Sequence, residues 1–265
     1  MLSLEDSLRY FDQDQPYGLV AGLKTHSPGA SEVPVHQHRQ GQLLFAVKGG
    51  ITCEVADAIW MVPPNSAVWI PGQTRHSVRA TANAEISFLF IQPGAAPLPA
   101  TCCTLFISPL VRELILHMAG QPPKYAPDSP TGRKAVVLLE ELAHMPVERL
   151  HLPISEEPRM RKIAKILSDD PADRRTLAQW GNMVAMSERS LARLVRQETG
   201  LTFGRWRQQL HLIVALRELA AGQNVQNIAE ILGYESVSAF IIMFKKSLGE
   251  TPAKYFSSIA QTAEP

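Results

Sequence analysis

Two stretches near the C-terminus repeat one another. Residues 187–206 read SERSLARLVRQETGLTFGRW and residues 236–255 read SVSAFIIMFKKSLGETPAKY, in register at a spacing of 49. Ser187 matches Ser236, Leu191 matches Phe240, Gly200 matches Gly249, Thr202 matches Thr251, Arg205 matches Lys254 and Trp206 matches Tyr255. Helix-capping hydroxyls, apolar positions and a glycine stop recur together, so the chain must build one helical unit twice.

Taken as a helix, 187–198 opens on Ser187, with Ser190 as a second potential start. Leu191, Leu194 and Val195 fall on one face, and Arg189, Arg193 and Arg196 on the other. An apolar stripe that seats the helix, backed by an arginine stripe, suits a helix lying in a DNA major groove. The guanidinium fork can donate twice to guanine. The second copy buries Phe240, Met243 and Phe244 and turns Ser238, Ile241, Ile242, Lys245 and Lys246 outward, with Ile241 in the place of Ala192. Hydroxyls, apolar surface and lysines touch thymine methyls and phosphates but offer few bidentate base contacts, so the first copy is expected to discriminate bases and the second to position. Between them, 203–221 reads as an apolar helix of about 28 Å at 1.5 Å per residue. That length suits two readers about one DNA turn, ~34 Å, apart.

These residues carry a resemblance. MSERSLARLVRQETGLTFGRWRQQ followed by IAEILGYESVSAFIIMFKKSLGETPAKYF is similar to the DNA-binding domain of the AraC/XylS family of bacterial regulators, over residues 158–257. Ala185 departs from the pattern, at a turn where the family often has glycine. The resemblance implies promoter DNA as a partner, RNA polymerase as another if the protein activates, and a homodimer.

Charge divides along the chain. From Arg159 onward there are 15 Lys/Arg against 10 Asp/Glu, a balance of +5, and the earlier part carries 11 against 15, or −4. A basic C-terminal part fits a polyanionic partner. The helices expected there are 158–169, 174–183, 187–198, 203–221, 225–232, 236–247 and a short one from Pro252. Residues 146–157, bracketed by Pro146, Pro153 and Pro158, read as a linker. Upstream, the runs Gln42–Val47, Ile51–Val55, Ala67–Ile70 and Ile86–Ile91 read as strands, broken at Gly49-Gly50, Pro63-Pro64-Asn65 and Pro71-Gly72. Pro93–Pro99 is expected to end the β region. Two amphipathic helices follow, Pro109–Gly120 on Leu110, Leu114 and Met118, and Gly132–Met145 on Ala135, Val136, Leu139, Leu142 and Ala143. They would cover the β region or meet another subunit. Three cysteines without regular spacing, an acidic start with no apolar core, and no apolar run of ~20 residues point to a cytoplasmic protein away from membranes.

Within the β region, His36-Gln37-His38 and Pro71-Gly72-Gln73-Thr74-Arg75-His76 resemble the two motifs of the cupin barrel, where an HxH pair, an acidic residue four positions on and a later histidine meet inside. Here the fourth position is Gln42. At period 2, His36 and His38 share one side of a strand, as does Gln42 if the strand continues. The resemblance implies an effector pocket lined by His36, His38, Gln42 and His76. The aromatic candidates are Trp60, Trp69 and Phe45. No cofactor is required, although His36, His38, Gln42 and His76 also make a divalent-metal set. The expected architecture is α+β in two domains. Residues 1–150 form a cupin-like β-barrel with flanking helices, for effector sensing and dimerisation. Residues 151–265 form an all-α tandem helix-turn-helix domain. The function expected is promoter binding under the control of a small-molecule effector, without catalysis. A metal-dependent cupin enzyme is the alternative and leaves the repeat without a role, while an architectural DNA binder leaves the β region without one.

Overall fold

The computed structural model describes residues 18–26, 31–55, 58–62, 66–148 and 151–261. The acidic start and the turn expected at Pro63-Pro64-Asn65 lie outside them. The strands are β1 (Val20–His26), β2 (Ser31–His36), β3 (Gly41–Lys48), β4 (Ile51–Val55), β5 (Ala58–Val62), β6 (Ser66–Ile70), β7 (His76–Ala80), β8 (Glu85–Ile91) and β9 (Cys103–Phe106). Helices α1 (Pro109–Met118) and α2 (Pro130–Ala143) follow, then the two-residue β10 (Val147–Glu148). One antiparallel sheet runs β1-β8-β3-β6-β9-β10, and β5-β4-β7-β2 lie side by side in the other.

Strand parity sorts the side chains of the first sheet. Leu43, Phe45, Trp69, Leu89 and Ile91 pack outward into one cluster with Val111 and Ile115 of α1 and Ala135, Leu138 and Leu139 of α2. Their neighbours of opposite parity face the second sheet: Gln42 on β3 bonds His76 on β7, and Phe90 on β8 meets the His38 ring. Sheets covered on both faces lose the apolar–polar alternation, which is why β6 reads as a continuous buried run, SAVWI. Each fully buried Leu or Phe contributes about 1.5–3 kcal/mol, so a one-residue slip in register is strongly opposed.

Three expectations are corrected. The β region does not end at Pro93–Pro99, because β9 follows and pairs with β6, Trp69 opposite Cys103. The edge of β6 supplies the strand conformation that CTLF alone does not signal. The covering faces of the two helices also differ from the expected stripes: α1 buries Val111, Ile115 and Met118, and α2 buries Leu138, while Leu110 and Val136 are exposed. The expected linker 146–157 contains β10, paired with β9, and a second short strand, β11 (His151–Pro153).

The chain divides into two compact units, the second built on His151–Ala260. It consists of α3 (Pro158–Asp169), α4 (Leu177–Met183), α5 (Glu188–Thr199), α6 (Phe203–Ala220), α7 (Val225–Ile231), α8 (Val237–Leu248) and α9 (Pro252–Gln261). α4 starts at 177 rather than 174, because Thr176 and Gln179 close a capping box there. α6 is buried almost all round from Leu210 to Leu216, as the central helix of a bundle must be. The Trp206 indole N–H fixes it to the Pro153 carbonyl at 2.8 Å.

Candidate DNA interface and ligand site

The repeat is structural, and its two halves are capped alike. Ser187 accepts from the Ser190 amide and Ser236 from the Ala239 amide, so the alternative start at Ser190 is not used. Gly200 (φ 72°) and Gly249 (φ 82°) end α5 and α8 in the left-handed region that glycine occupies without penalty. Each half has its own aromatic core. Trp180, Phe203 and Trp206 pack at tilted angles in one, and Tyr234, Phe240, Phe244 and Tyr255 pack tilted or edge-on in the other. The spacing is not constant, however. The caps Thr176 and Asn224, and the turns at Ala185 (φ 56°) and Gly233 (φ 70°), are 48 apart, and only from Ser187 and Ser236 onward is it 49. The second turn is one residue longer.

Leu191 and Val195 anchor α5 in the core. Arg189, Arg193 and Arg196 are exposed, and among the described residues none of the three forms an ion pair within the chain. Ser187 stands exposed at the start of the helix, and Ala192 is half-buried beside the stripe. On α8, Phe240, Met243 and Phe244 are buried. Ser236, Ser238, Lys245 and Lys246 are exposed, Ile241 is half-buried, and Ile242 is 68% exposed, an unusual position for a large aliphatic side chain.

In the first unit the structure brings His36, His38, His76 and Gln42 together, by a route other than the expected one. β2 stops at His36, and His38 lies in the turn before β3, so the two do not alternate along one strand. His36 instead faces His76 across the β2–β7 pairing, beyond a bulge. The ring centroids of His76 lie 4.3 Å from those of His36 and 5.2 Å from those of His38. All three rings place Nδ1 on a backbone carbonyl: His36 on Pro34 (2.8 Å), His38 on Gln40 (2.7 Å) and His76 on Thr74 (2.8 Å). A carbonyl can only accept, so each Nδ1 carries the proton and each Nε2 keeps a lone pair in the neutral ring. Burial pushes His76 down to about 4, helped by His36 and His38 against the pull of the Thr74 bond, so it is neutral at pH 7.

Gln42 Oε1 lies 2.9 Å from His76 Nε2, and Gln42 Nε2 is buried without a partner. Two acceptors face one another there. Rotating the carboxamide by 180° lets its N–H donate to His76 and removes the orphaned donor. A cation between them would satisfy the same lone pairs. His36, His38 and His76 can each offer one ligand atom, all within 4.8 Å of one another. That is wider than the ~3.4 Å that bonds of ~2.1 Å give in a tetrahedral site, so the donor set suits a borderline metal after a small closure.

The aromatic candidates separate. Trp69, with Leu43 as its partner, and Phe45 belong to the outward cluster, on the face opposite Gln42. Neither lines the histidine site. Trp60 is buried on β5, two strands from β7 in its sheet. Phe90, which was not anticipated, packs edge-on to His38 at 5.3 Å. Its parity within Ile86–Ile91 becomes informative only once its pairing with β3 is known.

A helix-turn-helix domain family model matches residues 180–258 and a cupin domain model residues 22–92. Over 98% of this chain and 97% of the other, the sequence is 48% identical to the HTH-type transcriptional regulator NimR of Escherichia coli (strain K12). The chain belongs to the AraC family of transcriptional regulators. As an AraC-family member it is a DNA-binding regulator with a cupin sensor domain and not an enzyme. The HTH-type transcriptional regulator RipA of Corynebacterium glutamicum is 28% identical over 119 residues, 44% of this chain and 36% of RipA. Among solved structures, fatty-acid-bound ToxT of Vibrio cholerae aligns with 92% of this chain and 96% of its own, at 13% identity and a TM-score of 0.38, too loose a likeness to argue from. Among the described residues no helix is long and apolar enough to cross a membrane.

Proposed function

We propose that this AraC-family regulator reads promoter DNA by laying α5 and α8 in successive major grooves, under the control of a small molecule bound by the cupin unit. The observation that carries this reading is the pair of identically capped helices, one with three exposed arginines opposite its buried face that form no ion pair among the described residues. Arg189, Arg193 and Arg196 would supply the base and phosphate contacts of the first reader. Ser236, Ser238, Ile242, Lys245 and Lys246 would supply those of the second, with Ser187, Ala192 and Ile241 completing the two surfaces. Residues 1–150 form the sensing and dimerising domain in this reading and 151–265 the DNA-binding domain. The protein works as a homodimer in the cytoplasm and, if an activator, with RNA polymerase.

The effector acts by binding one conformation better than another, since equal affinity for both shifts nothing. The Nε2 atoms of His36, His38 and His76, with Gln42 and Phe90, offer it ring nitrogens, a carboxamide and an aromatic wall. A divalent metal held by the same three histidines would supply a Lewis-acidic anchor for an effector oxygen or nitrogen. A footprint on the DNA upstream of the gene tests the proposal. Protection of two adjacent major grooves on one face, steepening at low salt, is expected. Equal affinity for that DNA and a scrambled duplex would refute it.

A further inference from the structure

Within the second unit, α6 runs between the two helix-turn-helix halves, and a further link lies beside it. The segment 170–176, between α3 and α4, ends on the cap of the first half and packs against the turn of the second. Its hold on the first half is firm. The Arg175 amide donates to Asp173 Oδ1 at 2.9 Å, and the Arg175 guanidinium pairs with the same carboxylate at 3.2 Å. That guanidinium also stands 4.8 Å over the Trp180 ring, and Thr176 then caps α4.

On the other side, the segment meets the turn that opens α8. A Cβ on Gly233 would lie 3.0 Å from the Ala172 Cα, so the two backbones are in close contact. The Arg174 guanidinium donates to the Gly233 carbonyl and reaches Glu235 at 3.5 Å. Two side chains of α6 fasten the arrangement from within. Arg207 donates to the Asp173 carbonyl at 3.3 Å. His211 is buried and holds both sides at once. A carbonyl only accepts, so its Nε2 carries the proton and donates to the Pro171 carbonyl at 3.0 Å, while Nδ1 accepts from the Tyr234 hydroxyl at 3.3 Å. Tyr234 packs in turn on Phe240 of α8, with ring centroids 5.7 Å apart.

These contacts fall where the two turns differ. Between the left-handed residue and the capping serine, the first turn has Met186 alone and the second has Tyr234 and Glu235. The longer turn supplies the hydroxyl that His211 holds and the carboxylate that Arg174 faces. The Arg174–Glu235 pair is too exposed to hold much by itself. The bond to the Gly233 carbonyl, the backbone contact and the buried imidazole carry the link. We infer, resting on the reading of α5 and α8 as the two DNA readers, that the segment 170–176 is a brace that fixes the separation and angle of those helices. Arg174, His211 and Tyr234 are then positioning residues for the spacing of the two half-sites. Neighbouring base pairs stand about 3.4 Å and roughly a tenth of a turn apart, so an intact brace selects one spacing. With the brace loosened, α8 follows its groove over a wider range.

The test uses the full-length protein and the duplex protected in the footprint, unaltered and with one base pair inserted or removed between the two grooves. The variants are Arg174→Ala and Arg174→Ala/Tyr234→Phe. Both leave the outward faces of α5 and α8 intact, and phenylalanine keeps the ring on Phe240. Wild type should prefer the unaltered spacing. In the double variant that preference should shrink roughly tenfold, since one charge-assisted and one neutral hydrogen bond are gone. The single variant should fall between, and base preference beneath α5 should not change. A ratio between spacings does not depend on how much of the protein is folded, so a weakened fold cannot mimic the result. Equal ratios in wild type and double variant would overturn the brace, whatever the absolute affinities. A wild type that prefers its own promoter but ignores spacing would overturn it too, and would leave the two readers standing. Equal binding of promoter and scrambled duplex would instead refute the readers themselves, and the brace with them.

Discussion

Ala185 turns the chain between α4 and α5 with a φ of 56°, whereas the second unit has Gly233 at the matching turn. An alanine in the left-handed region is strained by about 1–2 kcal/mol, part of which glycine returns as unfolded-chain entropy. Ala185→Gly should therefore stabilise the protein by about 1 kcal/mol, seen as a higher urea midpoint at unchanged slope. A lower midpoint would mean that the exposed methyl group has a contact of its own. Gln42 invites the opposite experiment. Gln42→Glu restores a carboxylate beside three imidazoles. It should tighten Zn²⁺ or Ni²⁺ binding about tenfold or more in competition with a chromogenic chelator. Equal affinities would show that Gln42 stands outside the coordination sphere.

Between elements, the difference in surface chemistry between α5 and α8 predicts a division of labour. Arg193→Ala should flatten base preference across a panel of point-mutated operators, by about 1–3 kcal/mol at the affected position. Ile242→Ala should weaken binding more evenly. If Ile242→Ala relaxes preference more than Arg193→Ala does, the roles are reversed. The helices of this unit were readable from sequence because their signals are local: Ser187, Ser236, Gly200 and Gly249 act within one turn of themselves. β9 was not readable, since its strand conformation comes from β6, more than thirty residues upstream. The histidine cluster was legible as a set of residues but not as a geometry. Period 2 placed His36 and His38 on one strand, whereas a turn at 37–40 and a cross-strand pairing bring them together. Trp69 is a pocket candidate by sequence only as an aromatic on a strand. Its face depends on the pairing Leu43↔Trp69, which no local pattern encodes.

For the whole molecule, two buried histidines tie stability to pH. His76 in the first unit and His211 in the second are both pushed down from 6.5 to about 4, chiefly by burial. Arg207 adds to this at His211, where the Pro171 carbonyl bond pulls the other way. The unfolded chain takes up protons at these sites below pH 6.5, and the folded chain does so only near pH 4. The stability they contribute is thus complete above 6.5 and declines as the pH falls toward 4. The loss amounts to about 1.4 kcal/mol per unit of difference at each site. Urea unfolding at pH 7, 6 and 5 should show it, and His211→Gln should remove one share. A pH-independent midpoint would show that neither ring is buried as described.

The three rings of the sensor take their orientation from the carbonyls of Pro34, Gln40 and Thr74, which are main-chain atoms. Substitution of surrounding side chains leaves those acceptors where they are. Leu44 and Val78, buried and of the same strand parity as Gln42 and His76, and Phe90 beside His38 can therefore be exchanged while the imidazole trio keeps its aim. A library confined to those positions would reshape the space around the histidines without rebuilding the frame that holds them.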